Sequence, residues 1–341
     1  MQGKVTLEDH FATKATLGDS QIFGADVWSE LGPRLLDFQD QRLRLMDAAG
    51  IEIMIASLNA PAIQAIPDIK RATEVTREAN DVLAREIAKR PDRFVGVAAL
   101  AMQDPDNATA ELERCVKDLG FRGALVNGFS QVGSPDTAVY YDLPQYRTFW
   151  RVVERLDVPF YLHPRNPLPG SVRSYEGHDW LLGPTWAFHA ETAVHALRLI
   201  GSGLFDELPR LQIILGHLGE GLPYYLWRID NRNSWMKAPH KYAARKPVAD
   251  YFRANFHVTT SGHFSTPAMI DAVAELGVDR VMFSVDYPFE DMGEAAAWST
   301  RPRSAKPIAA RSDARMQSSC SSWRERNACA DEQRSLPTVP K

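Results

Sequence analysis

The sequence predicts an α/β fold of the (β/α)8 TIM-like barrel type, with an inserted loop after the fifth strand. Eight short apolar runs alternate with segments of helical periodicity along the chain. The runs are apolar at nearly every position, which is typical of parallel strands that are covered by helices. Several runs also end in a histidine or a carboxylate, as expected where strand ends carry catalytic residues.

The predicted strands and helices follow one another in strict alternation. The strands are residues 4–11, 51–58, 94–100, 123–129, 159–164, 211–219, 256–262 and 280–286. The helices are residues 34–49, 68–90, 105–119, 145–157, 190–206, 221–236 and 267–277. A doubly wound open sheet is the alternative, but no Gly-rich nucleotide-binding loop follows the first strand.

Residues 165–189 depart from this alternation. The segment is too long, and too rich in Pro, Gly and aromatic residues, for an ordinary connection between a strand and a helix. Because it follows the fifth strand, it lies on the face where the strands end. We therefore expect it to form a lid or a wall of the substrate site.

The end of the chain has a different composition. Residues 299–341 contain nine Lys or Arg and four Asp or Glu, without sustained apolar periodicity. We predict a barrel domain over residues 1–298 and an atypical tail over residues 299–341 that lacks fixed structure. The abrupt change suggests that the natural C-terminus has been replaced, and only residues 293–298 hint at a helix that closes the barrel.

The composition also excludes several kinds of partner. A net charge of −4 and a pI near 6.2 give no basic surface for a nucleic acid. The sequence has neither an N-terminal signal nor an apolar run long enough for a membrane span, so a cytoplasmic protein is expected. Its three cysteines lack CxxC spacing. A metal site would therefore use histidine and carboxylate ligands.

Glu8 and His10 form the first candidate metal-binding pair. They are two residues apart on a predicted strand, and the period of a strand places both side chains on one face. A buried Glu and His are costly without a partner, and a divalent cation is a suitable one. An exposed pair without function is the alternative.

Three further residues end apolar strands. His163 ends PFYLHP, His217 ends LQIILGHLG, and Asp286 ends RVMFSVD. Each one taken alone is equally compatible with a hydrogen-bonded loop residue or a helix cap. In a barrel, however, the ends of strands one, five, six and eight lie on a common rim. The combination therefore predicts one metal site at that rim.

The order of these residues resembles the amidohydrolase superfamily, and within it the decarboxylase branch. That branch includes the aminocarboxymuconate semialdehyde decarboxylases and the dihydroxybenzoate decarboxylases. The resemblance rests on the ExH pair, the strand-end residues and the segments KVTLEDHF, FYLHPR, ILGHLGEGLPYYLWRID and MFSVDYPFE. It covers residues 1 to about 298 and stops at the tail.

The resemblance implies one divalent metal, Zn²⁺ or alternatively Mn²⁺, bound by Glu8, His10, His163 and Asp286. Many hydrolases of the superfamily open with HxH and carry a lysine on strand four that bridges two metals. This chain has Glu8 in the first position and Asn127 on strand four. Ligand type alone does not decide between the two metals.

The resemblance also implies a reaction. The expected reaction is a reversible, non-oxidative decarboxylation of a hydroxybenzoic acid, with 2,6-dihydroxybenzoate giving resorcinol and CO2. Asp286 would donate the proton to the ring carbon. His217, oriented by Glu220, would hydrogen-bond the substrate oxygens. The alternative for Glu220 is a carboxylate in the first turn of a helix, where it interacts favourably with the helix dipole.

Five residues are expected to contact the small aromatic acid. Phe23, Phe188 and Phe289 would enclose its ring, Asn127 would face it from strand four, and Arg228 would reach a neighbouring subunit's site, as the resemblance implies. For these residues ordinary core packing, or a solvated helix face, is the alternative.

A homo-oligomer, either a dimer or a homotetramer, is also expected. Many large aromatic residues fall on predicted loop and helix surfaces, and such residues are enriched at interfaces. They are Trp180, Trp186, Tyr224, Tyr225, Trp227 and Trp235. The alternative is that these rings pack inside one barrel.

Two other functions remain open at this point. A hydrolase of the same superfamily, acting on a lactone or an ester, would use the same ligands. A non-catalytic barrel would be expected to have lost some of the ligand residues, yet all four are present.

Overall fold

Eight parallel strands follow one another in chain order, as the sequence predicts. The structure, a computed structural model, describes residues 3–20, 24–236 and 242–300. The parallel strands are β1 (Lys4–Phe11), β2 (Ile51–Leu58), β3 (Phe94–Gly96), β4 (Ala124–Asn127), β7 (Phe160–His163), β8 (Ile213–Leu215), β9 (Phe256–Thr259) and β10 (Val281–Met282). A short antiparallel ribbon, β5 (Ser130–Gln131) and β6 (Ala138–Val139), lies between β4 and β7. Strand β7 is thus the fifth of the eight.

The eight strands are joined into a ring. They form one sheet in the order β1-β2-β3 and another in the order β10-β9-β8-β7-β4. A parallel bridge between Ala98 and Ala124 connects the two sheets after β3. On the other side, the backbone N–H of His10 donates to the carbonyl of Tyr287, 2.6 Å away. This bond ties the end of β1 to the segment that follows β10.

Twelve helices accompany the strands in the described part of the chain. They are α1 (Ala25–Leu36), α2 (Gln41–Ala49), α3 (Ile69–Lys89), α4 (Pro105–Lys117), α5 (Arg147–Leu156), α6 (Ala187–Gly201), α7 (Leu204–Glu207), α8 (His217–Glu220), α9 (Leu222–Asn233), α10 (Val248–Asn255), α11 (Thr266–Leu276) and α12 (Met292–Thr300). None of them is long and apolar enough to cross a bilayer.

Two helices differ from the prediction. The predicted helix 34–49 is divided because the Asp37 carboxylate accepts the backbone N–H groups of Asp40 (3.1 Å) and Arg42 (2.7 Å), which caps the start of α2. Helix α10 was not predicted. Its first N–H groups are bound by the carboxylate of Asp230, 18 residues earlier in the chain, at 2.6 and 3.0 Å. Because the capping residue is 18 positions away, the sequence around the start of α10 carries no signal of a helix cap.

The interior of the ring is filled by a small apolar layer. Seven of the eight strands, or the residues that directly extend them, contribute one side chain each, and these side chains pack together. They are Leu7, Ile55, Val97, Leu125, Tyr161, Ile214 and Met282. A much larger core lies between the strands and the surrounding helices. The barrel centre is therefore packed, and chemistry is confined to its rim.

The inserted loop follows β7, where it was predicted. It consists of four short 3-10 turns, at Pro169–Ser171, Arg173–Tyr175, Asp179–Leu181 and Gly183–Thr185. Helix α6 then begins at Ala187, three residues earlier than the sequence indicated.

Helix α12 supplies the closing helix that the sequence only hinted at. It packs against α2 and buries Trp298, whose ring centroid lies 5.7 Å from that of Phe264. The helix ends at Thr300, two residues past the predicted domain boundary. Of the predicted tail, residues 301–341 lie outside the described residues, so that prediction stays untested.

Arg42 connects the start of the ring to its end. Its guanidinium is fully buried, donates to the carbonyl of His10 at 2.7 Å, and lies 4.8 Å from the ring centroids of both Phe38 and Tyr287. It also lies close to the carboxylate of Asp9, whose pKa is raised to about 6 by burial. Arg42 thus supports the backbone on which two candidate ligands lie.

We expect Arg42→Met to lower the free energy of unfolding by about 3 kcal/mol, because it leaves a buried carboxylate and a buried carbonyl without their cation. Arg44→Met on the same helix is the matched control. Arg44 is exposed, and its ion pair within the described residues is with Asp40, so its loss should cost no more than about 1 kcal/mol. Urea denaturation followed by circular dichroism measures both values. Equal stability losses would contradict the role given to Arg42.

Candidate metal centre

Four side chains meet at the rim of the ring in the way the sequence predicts. Each offers one ligand atom, and these atoms all lie within 4.8 Å of one another. The residues are Glu8, His10, His163 and Asp286, of which the first three are buried. They come from the ends of β1 and β7 and from the segment after β10. The fold thus brings together residues that are as much as 278 positions apart.

Glu8 reaches the site through a β-bulge in β1. Leu7 pairs with Ile55 and Asp9 with Ala56, so Glu8 is the extra residue, and its φ is 64°. The bulge allows Leu7 to fill the barrel layer while its neighbour Glu8 also faces the site. The two-residue alternation of a strand explains why the side chains of Glu8 and His10 lie on the same face. It does not explain why the side chain of Leu7, the neighbour of Glu8, also points into the ring.

Three hydroxyl groups surround one oxygen of Glu8. Tyr161 and Ser261 donate short hydrogen bonds to Oε2, and the hydroxyl of Thr259 lies 3.2 Å from it. The other oxygen, Oε1, is buried and accepts no hydrogen bond from any described residue. Burial raises the pKa of Glu8 well above its usual range, and the positive charge of His217 opposes this rise.

Gly216 makes room for this carboxylate. A Cβ atom at position 216 would lie 2.7 Å from Oε1 of Glu8, closer than real contacts of this kind. The glycine at the end of β8 is therefore required by the close approach of Glu8 rather than by backbone conformation.

His10 and His163 present their rings to the same space. Their ring centroids are 4.7 Å apart in an edge-to-face arrangement. His10 Nδ1 lies 3.2 Å from the hydroxyl of Ser57, and its Nε2 lies 3.2 Å from Asp286 Oδ1. His163 Nε2 lies 3.4 Å from Glu8 Oε1. Burial lowers the pKa of His163 well below its usual range, which keeps its ring neutral and able to ligate.

His217 forms a pair with Glu220 beside the four residues. Its Nδ1 lies 2.8 Å from Oε1 of the buried Glu220, while its Nε2 lies 3.7 Å from Asp286 Oδ2. Burial alone would lower the pKa of His217. The negative charges of Glu220 and Glu8 outweigh burial and raise it well above the usual range.

The connection between His217 and Glu220 is not an ordinary helical turn. Leu218 and Gly219, the two residues between them, have φ values of 57° and 87°, in the left-handed region. Glu220 therefore lies before the regular helix α9, and its carboxylate contacts His217. This geometry agrees with the orienting role predicted for Glu220.

Asp286 lies between His10 and His217. Burial would raise its pKa, but the two nearby imidazoles outweigh burial and hold its pKa below the usual range. Its Oδ1 has no hydrogen-bond donor among the described residues. Gly262 packs beside it, since a Cβ there would lie 3.1 Å from Asp286 Oδ2.

The donor set fits a divalent cation. Glu8 Oε1, His10 Nε2 and Asp286 Oδ1 are buried without hydrogen bonds in the part of the chain that the structure describes. Buried polar atoms are rarely left unpaired, and two imidazoles with two carboxylates are ligands for first-row divalent metals. The residues present therefore suit the group that the sequence predicts.

The predicted substrate contacts have different placements. Phe289 lies near the centre, with its ring centroid 5.7 Å from that of His10. Phe188 is half-buried in the first turn of α6, which directly follows the inserted loop. Phe23 lies outside the described residues.

Asn127 and Arg228 are the other two predicted contacts. Asn127 is buried beside His163 in the sheet register, and its amide donates to Asn59 O at 3.0 Å, whereas its Oδ1 is without a described partner. Arg228 is exposed on α9. Asn127 is therefore held in place next to the site, whereas Arg228 does not join the centre of its own chain.

Sequence reasoning missed the hydroxyl residues around the ligands. Tyr161 precedes His163 by two positions and so lies on the same face of β7. Thr259 and Ser261 have the same spacing at the end of β9, a strand from which no site residue was predicted. The two-residue spacing along each strand was the signal that these side chains share the face of the site. Ser and Thr are too common at strand ends for that spacing to identify them.

Comparisons with known proteins identify the family of the chain. The Amidohydrolase family profile matches residues 10–307. A gamma-resorcylate decarboxylase from Rhizobium sp. (strain MTP-10005) is 67% identical over 299 residues, which are 87% of this chain and 91% of that relative.

Solved structures are similar as well. One is a 2,6-dihydroxybenzoate decarboxylase complexed with 2,6-dihydroxybenzoate, with a TM-score of 0.88 and 64% identity over 91% of this chain and 96% of that one. Another is a dihydroxybenzoic acid decarboxylase from Polaromonas sp. JS666 with bound manganese and the inhibitor 2-nitroresorcinol. It has a TM-score of 0.87 and 60% identity over 91% of this chain and 93% of that one.

We expect His163→Ala to lose bound metal, because it removes one of four ligands. His195→Ala is the matched control. His195 is equally buried, but its Nε2 accepts the N–H of Tyr141 at 3.2 Å within the core. The control should lose about 1–3 kcal/mol of stability and keep its metal. Elemental analysis after loading with Mn²⁺ measures metal content, and full occupancy in His163→Ala would remove this residue from the ligand set.

Proposed function

This chain belongs to the amidohydrolase family, and we propose that it is a metal-dependent carboxy-lyase that removes CO2 from a hydroxybenzoic acid. The observation that carries the proposal is the buried group of two carboxylates and two imidazoles at the rim, with the His217–Glu220 pair beside it. The predicted resemblance to the decarboxylase branch is confirmed by relatives that carry decarboxylase names. The hydrolase alternative has no support among the relatives reported above.

The first substrate to consider is 2,6-dihydroxybenzoate, which would give resorcinol and CO2. A relative 64% identical to this chain is described in complex with that acid. As metal we propose Mn²⁺, because manganese is bound in the Polaromonas relative. Zinc was the first choice from the sequence, and the comparisons do not support it. A divalent cation held there supplies positive charge for the carboxylate and the neighbouring phenolic oxygen of the substrate.

Loss of CO2 leaves an electron pair on the ring carbon, and that carbon must take up a proton. We assign the proton donation to Asp286, which lies at the open edge of the site and is partly accessible. The low pKa of Asp286 in the free protein means that it must first receive a proton. His217 lies 3.7 Å away and is held protonated by Glu220 and Glu8, so it can return a proton to that carboxylate.

The aromatic side chains near the site support a planar substrate. Phe289, beside His10, offers an apolar face within the space where the ring must lie. Phe188 is proposed to cover the ring from α6. Asn127 Oδ1 has no hydrogen-bond partner among the described residues, so it can accept a hydrogen bond from a substrate hydroxyl. Phe23 is proposed as a further apolar wall on the strength of the sequence alone.

The direct test is a CO2-release assay on Mn²⁺-loaded protein. The substrates are 2,6-dihydroxybenzoate, 2,3-dihydroxybenzoate and salicylate, and the reverse reaction is followed with resorcinol and bicarbonate. We expect turnover with 2,6-dihydroxybenzoate that a chelator abolishes and added Mn²⁺ restores. Absence of CO2 from all three acids would overturn the proposed function.

Asp286→Asn should lower kcat much more than it changes KM, because an amide cannot donate the proton. Glu290→Gln is a matched control, since Glu290 is a half-buried carboxylate at the same rim whose backbone N–H donates to Asp286 O. The control should keep most of the kcat. Steady-state kinetics measure both constants, and a raised KM with unchanged kcat in Asp286→Asn would leave that residue only a ligand role.

We also propose that the chain forms a homo-oligomer, a dimer or a homotetramer. Large aromatic residues are exposed on or just after α9, where Tyr224, Trp227 and Trp235 are 75%, 72% and 68% exposed. Trp180 and Trp186 on the inserted loop are exposed as well. Such a surface is typical of a covered interface. The alternative that these rings pack inside one barrel is wrong.

Arg228 lies on this surface, and we expect it to serve a neighbouring subunit. Light scattering should give a mass well above 38.2 kDa. Mixing Arg228→Ala chains with Asp286→Asn chains should regain partial activity if sites are shared between subunits. A monomeric mass would refute association, and a mixture no more active than its separate parents would assign Arg228 to its own subunit.

A further inference from the structure

Glu8 has two oxygens in very different surroundings. Oε2 lies in a pocket of three hydroxyls from β7 and β9, namely those of Tyr161, Thr259 and Ser261. The hydroxyls of Tyr161 and Thr259 also lie 2.9 Å from each other. Oε1 has no such neighbour and points between His163 Nε2 at 3.4 Å and His217 Nε2 at 3.8 Å.

The hydroxyl group of each of these three residues is fixed by the barrel itself. Tyr161 has its ring in the apolar layer of the barrel and only its hydroxyl at the site. Thr259 and Ser261 are fully buried at the end of β9 and in the turn after it. None of them is exposed to solvent, and their side-chain hydrogen bonds with described residues go to Glu8 or to one another.

We propose that Tyr161, Thr259 and Ser261 are positioning residues that hold Glu8 so that it binds metal through Oε1 alone. A carboxylate without such partners can rotate and offer both oxygens to a cation. Here Oε2 is occupied by hydrogen bonds, so a rotation would break two or three of them at once.

One-oxygen binding by Glu8 has a consequence for the site. Binding through Oε1 alone would leave further coordination positions of a bound cation for substrate oxygens. The three hydroxyls therefore support the affinity for metal, and they also keep coordination positions of the cation available to the substrate. The proposal rests on the metal site of the proposed function, but not on decarboxylation.

Variants of Thr259 give the sharpest test. Thr259→Val has nearly the same shape but lacks the hydroxyl, whereas Thr259→Ser keeps it. The dissociation constant for Mn²⁺ is measured by competition with a fluorescent chelator. We expect Thr259→Val to raise it about tenfold and Thr259→Ser to leave it near the wild-type value. Tyr161→Phe and Ser261→Ala should each weaken binding to a similar extent, and provide independent variants if one fails to fold.

Thr260→Val is the control for general loosening of the same segment. The Thr260 hydroxyl is equally buried, but it donates to Ser284 O and accepts from Ser284 N–H, both at 2.9 Å, and does not face Glu8. This variant should lose thermal stability and keep its affinity for Mn²⁺.

Two outcomes would overturn the proposal. One is an unchanged dissociation constant in Thr259→Val, Tyr161→Phe and Ser261→Ala. The other is equal weakening in Thr259→Val and Thr260→Val, which would indicate a structural role alone. A wild-type protein that binds Mn²⁺ but releases no CO2 would overturn the proposed reaction and leave the role of these hydroxyls intact, because metal affinity does not depend on turnover.

Discussion

Three carboxylates and three imidazoles share one largely buried space, and the rest of the site depends on balancing their charges. An ionised carboxylate in the interior costs several kcal/mol unless it is paired. Glu220 is paired with His217, and Glu8 is stabilised by hydroxyl groups. Asp286 lies between two imidazoles. The remaining negative charge, concentrated on Glu8 and Asp286, is what a divalent cation would neutralise.

This arrangement needs unusual backbone at the ends of strands. Glu8, His217, Glu220 and Asp286 all have φ between 51° and 84°, a region that costs a non-glycine residue about 1–3 kcal/mol. Such conformations persist only where the surroundings fix them. Near Glu8 and Asp286, the buried Arg42 helps to do so through the His10 carbonyl and the Tyr287 ring. The strain is thus located at the residues that carry the chemistry, and the packed barrel stabilises it.

The sequence predicted the fold and the grouping of the four candidate ligands because both leave repeated local signals. Each apolar run marks a strand, and a histidine or aspartate at its end marks the rim. The bulge at Glu8 leaves no such signal, because it depends on the register with β2. The division between α1 and α2 and the start of α10 depend on caps by Asp37 and Asp230. These features are set by tertiary contacts, which residue periodicity does not encode.

In the proposed function, metal and substrate depend on different parts of the chain. The candidate ligands lie in strands or in the segment after β10, whereas the inserted loop begins two residues after His163. Arg165 fastens its base, donating to Gln64 O at 3.1 Å, Phe129 O at 2.8 Å and Gln131 Oε1 at 3.0 Å. Beyond that anchor the loop consists of short turns in which many side chains are exposed, and Asn166 Oδ1 accepts the N–H of Gly183 at 2.7 Å. Under the proposed function, changes in the outer loop would alter the shape of the substrate space without moving a candidate ligand. The candidate metal centre could be predicted from strand-end residues, whereas the preferred isomer depends on a loop that carries no periodic signal.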